Sequence, residues 1–398
     1  MGKYIHREIE SVVLSAARQF PCVIVTGPRQ SGKTTLLKHL FAGKYRYVTM
    51  DDPDKRLMAT NEPQIFFENN PPPLILDEIQ YVPGILPYLK MIIDNDRSRM
   101  GQFILTGSQN FSLMAGVTES LAGRISVLNL LSFSLTEKVK KLSGLSYRKL
   151  QEHVIKGGFP EIYVNKKADI RMWYNSYLNT YLERDVRNIR QVGDLLEFQR
   201  FMALLAANNG NLINLSTFSR DLGVAVNTIK QWESVLETSQ QVFHLKPYFN
   251  NEGKRIIQNP KIYFLDTGLV CHINHLTLAE QVFSGPGGGQ LFETLFLTEI
   301  IRHYYNKGEP PGIYFWRTSY GEEVDFIIEE KGKLIPVELK LTSRIKPELA
   351  KNLKSFQRIF NKKIRKSVLV YLGRERIKLN DNIEFIPFQE FFSKFPEI

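Results

Sequence analysis

The sequence predicts an α/β protein, with a parallel sheet in the N-terminal third, a helical middle and a second α/β unit in the C-terminal third. Three observations predict it. Apolar runs at residues 22–26, 74–76 and 102–105 lead into glycine, hydroxyl or carboxylate residues, as buried parallel strands do at their carboxyl ends. Residues 213–236 read as two helices around Gly223, followed by a short strand at 242–245. Residues 323–328 and 334–340 read as strands parted by a turn at Gly332. At 398 residues and 43% hydrophobic content, the chain has material for two or three domains, each with its own core.

The first strand, residues 21–26, runs directly into Gly27-Pro28-Arg29-Gln30-Ser31-Gly32-Lys33-Thr34, and residues 33–40 read as a helix. Strand, glycine loop and helix is the context of a Walker A phosphate-binding loop. Gly27 and Gly32 allow a tight turn that brings backbone N–H groups onto phosphate oxygens. The helix N-terminus adds positive potential there. Lys33 is placed for the β- and γ-phosphates and Thr34 for Mg²⁺. Arg29, Gln30, Ser31 and Thr35 complete the expected nucleotide-binding set, and ATP and Mg²⁺ are the expected cofactors. The second strand ends in Asp77-Glu78. Asp77 is expected to hold Mg²⁺, directly or through water, and Glu78 to polarise the attacking water. The third ends in Thr106-Gly107-Ser108, where Thr106 or Ser108 can sense the γ-phosphate or simply form a turn. Arg124, after Gly123, is either an arginine finger or sensor, or a solvated arginine.

In the middle, Tyr174, Tyr177 and Tyr181 share one helical face, a core or lid-packing stripe. Arg184 follows and is within reach of a nucleotide in this or a neighbouring subunit. Residues 213–245 read as a helix-turn-helix with a wing. Asn227, Thr228, Lys230 and Gln231 lie early on the second helix, where major-groove contacts are made. A single lysine before Glu233 leaves a purely structural lid open as the alternative.

In the C-terminal third, Asp325 lies near the start of one strand and Glu338-Leu339-Lys340 ends the next. Glu338 and Lys340 share a face because a strand repeats every two residues. This resembles the Asp…Glu-x-Lys arrangement of the PD-(D/E)XK nuclease fold, with Val324 where the motif's name has proline. The resemblance implies that Asp325 and Glu338 bind a divalent ion, and that Lys340 stabilises developing charge or positions water. Glu293, on the preceding helix, would complete the metal shell. The alternative is a salt-bridged sheet face. Residues 346–363 read as a lysine-bearing helix able to face a phosphate backbone.

Gly27 to Thr35, Leu76-Asp77-Glu78-Ile79-Gln80, Leu105-Thr106-Gly107-Ser108 and Leu121-Ala122-Gly123-Arg124 together resemble an AAA-type ATPase of the AAA_14 group. Gly157-Gly158-Phe159-Pro160, Tyr181-Leu182-Glu183-Arg184-Asp185 and the Glu-Val-Asp-Phe segment resemble the DUF4143 region that such proteins carry. One departure is Leu130-Leu131-Ser132-Phe133-Ser134, where a proline common in such proteins is lost. The implied architecture is a P-loop NTPase (AAA-type) parallel sheet at residues 1–135, a helical lid or connector at 136–194, a winged-helix-like region at 195–255 and a PD-(D/E)XK nuclease-like α/β domain at 256–398. The resemblance implies ATP hydrolysis and a ring-type homo-oligomer.

The net charge of +11 favours a polyanion, with double-stranded DNA the leading candidate, or reflects an ordinary basic surface. Cys22 and Cys271 are far apart in apolar surroundings and read as buried thiols, which suits the cytoplasm. The charged N-terminus lacks the apolar stretch of a signal peptide, and no run is long enough to span a bilayer. Three functions stay open: an ATPase coupled to DNA binding or processing, an ATP-dependent switch whose C-terminal module binds a protein partner, and a nuclease-like module that cuts or binds RNA.

Overall fold

The computed structural model describes residues 4–107, 116–117, 119–139, 141–181, 195–248, 259–380 and 382–396. Strands β1 (Cys22–Thr26), β2 (Arg46–Thr49), β3 (Leu74–Asp77), β4 (Phe103–Gly107) and β5 (Ile125–Asn129) form one sheet in the order β2-β3-β4-β1-β5. Every pairing is parallel. The three expected strands are β1, β3 and β4. The edge strands β2 and β5 are partly exposed and carry polar residues, so no apolar run announces them.

Along β1, Cys22 and Ile24 enter one core layer while Val23 and Val25 enter the other. The helices Glu10–Gln19 and Lys33–Leu40 supply Val13, Leu36 and Leu37 to one layer. The helices Pro63–Asn69 and Leu86–Asn95 supply Phe66, Leu89 and Ile93 to the other. Each such side chain contributes roughly 1.5–3 kcal/mol by leaving water. Because the sheet is parallel, the carboxyl ends of β1, β3 and β4 lie together, and a ligand site belongs there.

The middle is helical, with helices at Tyr147–Lys156, Pro160–Val164, Ile170–Tyr181, Leu195–Ala207, Leu215–Leu222 and Val226–Thr238. The expected helix-turn-helix is present. The Asn214 side chain accepts from Thr217 N–H at the start of its first helix, and Gly223, at φ 69°, ends that helix in the left-handed region. An antiparallel hairpin of β6 (Val242–Leu245) and β7 (Lys261–Phe264) follows. β7 lies beyond residue 255, the expected end of that region.

The C-terminal sheet has the order β12-β13-β11-β10-β9-β8, from β8 (Ile313–Arg317), β9 (Glu323–Glu330), β10 (Lys333–Lys340), β11 (Ser367–Tyr371), β12 (Ile377–Asn380) and β13 (Ile383–Pro387). β8, β9 and β10 are antiparallel, whereas β10, β11 and β13 run parallel. The helix Gly288–Asn306 joins the core of one face through Phe296, which stacks on Phe326 at 5.2 Å. The helix Lys351–Phe360 covers the other face through Leu353, Phe356 and Phe360, leaving Lys351, Lys354 and Arg358 in water.

The expected domain limits cut through shared packing. Tyr174 of the connector, Trp232 of the helix-turn-helix and Phe296, Val337 and Val368 of the C-terminal unit belong to one continuous core. Among the described residues, no helix is long and apolar enough to cross a membrane.

Candidate nucleotide site and C-terminal acidic cluster

The phosphate loop joins β1 to the helix Lys33–Leu40 at the carboxyl edge of the sheet. A Cβ on Gly27 would lie 2.1 Å from the Leu130 carbonyl oxygen, so only glycine fits. Gln30 and Gly32 take φ of 64° and 94°, which turns the chain back on itself. Lys33 Nζ donates to the carbonyls of Gly27 (3.0 Å) and Pro28 (2.9 Å), inside the loop where the phosphates are expected. Arg7, only 3% exposed, braces the loop from outside by donating to Ser31 O (2.9 Å) and Leu131 O (2.8 Å) and pairing with Glu137.

Thr34 Oγ1 lies 3.0 Å from both oxygens of Asp77. The Tyr47 hydroxyl donates to Asp77 Oδ2 at 2.6 Å, and the Thr106 hydroxyl to Asp77 Oδ1. Glu78 N–H donates in turn to Thr106 Oγ1 at 3.2 Å. Thr106 therefore ties the two strand-end carboxylate residues together. Glu78 has φ 58° and ψ 46°, an uncommon conformation for a non-glycine residue, and its carboxylate accepts from Gln80 Nε2.

A cavity of about 460 Å³ opens over this edge. One wall is Arg29, Gln30, Gly32, Lys33, Thr34, Thr35 and Glu78. The other comes from the connector: Pro160, Glu161, Tyr177, Thr180 and Tyr181. The tyrosine stripe is anchored beyond it. Tyr181 OH lies 2.8 Å from Ser239 Oγ, and Gln241 Nε2 lies 3.0 Å from the Tyr177 hydroxyl. Gln240 Nε2, on the same turn, donates to Asn129 Oδ1 at the end of β5.

Not every expected residue reaches this pocket. Arg124 precedes β5, at the opposite end of the sheet, and its guanidinium grips Asp94 at 2.7 and 3.0 Å. An arginine finger or sensor acting on the nucleotide of its own subunit is thereby corrected. Ser108, Arg184 and Asp185 lie outside the described residues. Tyr47 and Arg7 were not foreseen. They lie far from the loop in sequence, and no local pattern marks them.

In the C-terminal unit, the β9–β10 ladder pairs Phe326 with Val337. Just past that pair, Asp325 Oδ2 takes the N–H of Leu339 at 2.7 Å. Lys340 Nζ pairs with Glu338 Oε1 at 2.7 Å, while Glu338 Oε2 is buried with no partner. Glu293 Oε2 accepts from the Tyr263 hydroxyl at 2.7 Å. Lys261, 5% exposed on β7, pairs with Glu323 and lies 3.9 Å from Glu293. Burial, then the Asp325 charge, raises the carboxyls of both Glu293 and Glu338.

Asp325, Glu338 and Lys340 thus meet at one end of the sheet as expected, but the joint metal shell with Glu293 is corrected. Among the described residues, no group of three His, Cys, Asp or Glu side chains is arranged to hold a metal ion. One oxygen of each carboxylate accepts from a protein donor, Glu293 from Tyr263, Asp325 from Leu339 and Glu338 from Lys340.

The second helix of the helix-turn-helix exposes Asn227, Lys230 and Gln231. Its other charges face His244, whose ring lies 2.6 Å from Glu233 and 2.8 Å from Glu237. Burial works against the imidazolium, but the two carboxylates outweigh it and raise its pKa to about 9.

Comparison with known proteins bears on these sites. A model described as AAA domain matches residues 19–139. Two models of domains of unknown function, DUF8612 and DUF4143, match residues 147–280 and 288–391. The chain therefore carries a P-loop ATPase domain of the AAA type, followed by an uncharacterized C-terminal region. It is similar to uncharacterized proteins of Mycobacterium bovis and Mycobacterium tuberculosis, each 27% identical over 96% of this chain and 83% of the relative. Among solved structures it is similar to the Walker-type ATPase of Pyrococcus abyssi, at 15% identity over 68% of this chain and 96% of that one, with a TM-score of 0.43.

Proposed function

We propose that the protein is a Mg²⁺-dependent, ATP-hydrolysing switch whose nucleotide state sets how the connector and C-terminal module are presented to a partner protein. The two-walled cavity carries this reading. The cavity that Lys33 and the phosphate loop line is also lined by Pro160, Glu161 and Thr180, on the segment bonded to the turn after the helix Val226–Thr238. Thr34 and Asp77 suit Mg²⁺, since a hydroxyl and a carboxylate already face each other as hard oxygen donors. That ion would neutralise phosphate charge, while Glu78 accepts the proton of the attacking water. Lys230, outnumbered on its helix by Glu233 and Glu237, gives little support to a DNA-reading role there.

The second wall is testable without disturbing the core, because Glu161 and Thr180 are exposed. Glu161→Lys is expected to tighten ATP binding and Thr180→Glu to weaken it. The shift should be about fivefold for Thr180→Glu, given roughly 1 kcal/mol between close charges in water, and about thirtyfold for Glu161→Lys, which changes the charge by two; both should fade with salt. Binding measured by fluorescent ATP analogue or calorimetry that ignores both charges would remove the connector from the site.

A second reading, DNA processing by the C-terminal module, is favoured by one observation: the buried, partnerless Glu338 Oε2 beside Asp325. Two carboxylates and waters suffice for Mg²⁺ or Mn²⁺. The Glu338 carboxyl is raised from 4.5 to about 8, so its protonated form stabilises the fold. That contribution is complete below the ordinary value and is lost as pH rises through about 8. Without metal, the melting temperature should fall over that window, and less so in Glu338→Gln. At the upper end, Mn²⁺ should restore it in the wild type alone, with Mn²⁺-dependent cleavage of double-stranded DNA. A pH slope and Mn²⁺ response identical in both proteins, with no cleavage, leaves the switch reading by itself.

A further inference from the structure

We infer that Gln80 is a positioning residue for ATP hydrolysis, holding the Glu78 carboxylate in the orientation from which it accepts the proton of the attacking water. The inference rests on the ATPase reading and names a residue that the phosphate-loop chemistry leaves unassigned. Gln80 sits on the single 3₁₀ turn Ile79–Tyr81 that follows Glu78, so its side chain reaches back over the residue it serves. Gln80 Nε2 donates to Glu78 Oε2. Glu78 is held at two further points, by its left-handed backbone and by its N–H bond to Thr106 Oγ1. One carboxylate oxygen is thus occupied, and the residue lines the cavity beside Lys33 and Thr34.

The other end of the amide shows what this arrangement is for. Gln80 Oε1 is buried and accepts no hydrogen bond. A carbonyl removed from water without a donor is unfavourable for the fold. A methionine of similar shape would avoid that loss, so the glutamine is explained by its bond to Glu78 and not by packing. In the step concerned, the water oxygen bonds to the γ-phosphorus as the bond to the departing ADP oxygen breaks. The water proton passes to Glu78, and ADP carries away the electron pair. Glu78 lines the cavity and Gln80 is not among its lining residues. Gln80 acts through Glu78 by fixing the free oxygen against rotation.

The test is a kinetic cycle on the full chain. Gln80→Met should keep or raise the melting temperature and leave the ATP dissociation constant and KM unchanged. It should lower kcat by about 10- to 100-fold, the scale of an ångström-level misplacement of a reacting group. Gln80→Glu, which sets a second carboxylate against Glu78, should lose at least as much. In a Glu78→Gln background, single-turnover rates should show no further effect of Gln80→Met, because the group it positions is already gone. Wild-type turnover in Gln80→Met, a loss that tracks weaker ATP binding, or a loss that persists undiminished in Glu78→Gln each overturns the inference and leaves the ATPase reading intact. Absence of hydrolysis by the wild type overturns both.

Discussion

Lys33→Ala is expected to lower Mg²⁺-dependent ATP hydrolysis by at least about 10²- to 10³-fold, the loss that follows removal of one preorganised charge or donor at a developing oxyanion. Two cations among the described residues are not placed to replace it, Arg7 and Arg124. Lys33 Nζ lies inside the loop on the carbonyls of Gly27 and Pro28, and Arg7 is committed to Ser31 O, Leu131 O and Glu137. Arg124 is at the far end of the sheet. Phosphate release measured with and without double-stranded DNA checks the result and separates the two functional readings. Hydrolysis that Lys33→Ala abolishes and DNA leaves unchanged supports the protein-partner switch. Stimulation by DNA supports nucleic-acid coupling. A Lys33→Ala variant as active as the wild type would remove this loop as the site of hydrolysis.

Gly157→Ala is expected to be the most destabilising single-methyl change in the connector. Gly157 has φ 69° and ψ −150°, a conformation that only glycine adopts readily. A Cβ there would lie 2.2 Å from both Asp266 Oδ1 and the Tyr174 hydroxyl. Neither atom is free to retreat. Asp266 Oδ1 accepts from Tyr174 OH at 2.7 Å and from Leu269 N–H at 3.0 Å, and its Oδ2 accepts from Gly158 N–H at 2.8 Å and Ser132 Oγ at 3.2 Å. Arg302, on the helix Gly288–Asn306, donates to the same Ser132 hydroxyl at 3.0 Å. One methyl therefore acts on a junction of the ATPase domain, the connector and the C-terminal unit. Backbone strain of about 1–3 kcal/mol adds to a lost charge-assisted hydrogen bond of about 1.5–3 kcal/mol. The melting temperature should fall by on the order of 10 °C. A drop of about one degree would mean that the junction re-forms around the methyl, and that this glycine is not required by its surroundings.

The two C-terminal strands show how far sequence reasoning reaches. Period-two alternation and Gly332 place Asp325 near the start of β9 and Glu338 and Lys340 at the end of β10, and the structure brings all three to one end of the sheet. The same reasoning assigns Glu293 to a shared metal shell, yet Tyr263 holds that carboxylate and Lys261, from the hairpin of the helix-turn-helix unit, enters the cluster. Lys261 sits on a short strand whose pattern speaks only of the hairpin it forms. Its role in neutralising acidic residues on β9 and on the helix Gly288–Asn306 depends on how the units pack. The packing between units is hidden from sequence for a related reason. A helix shows which face is apolar but not which neighbour covers it, and here one core runs from Tyr174 through Trp232 to Phe296.

The phosphate loop, the strand-end Asp77 and Glu78, and the helix-turn-helix were determined by sequence alone, because each is a contiguous code. Glycines set backbone angles, a run of N–H groups sets the anion site, and local spacing sets the helix face. Only the tertiary structure decided that the connector forms the second wall of the cavity, that Tyr47 and Thr106 hold Asp77, that Arg124 is turned away, and that a lysine from β7 enters the acidic cluster. Those contacts join residues far apart in the chain. They follow from strand order, helix packing and the need of every buried charge for a partner, none of which a local window of sequence contains.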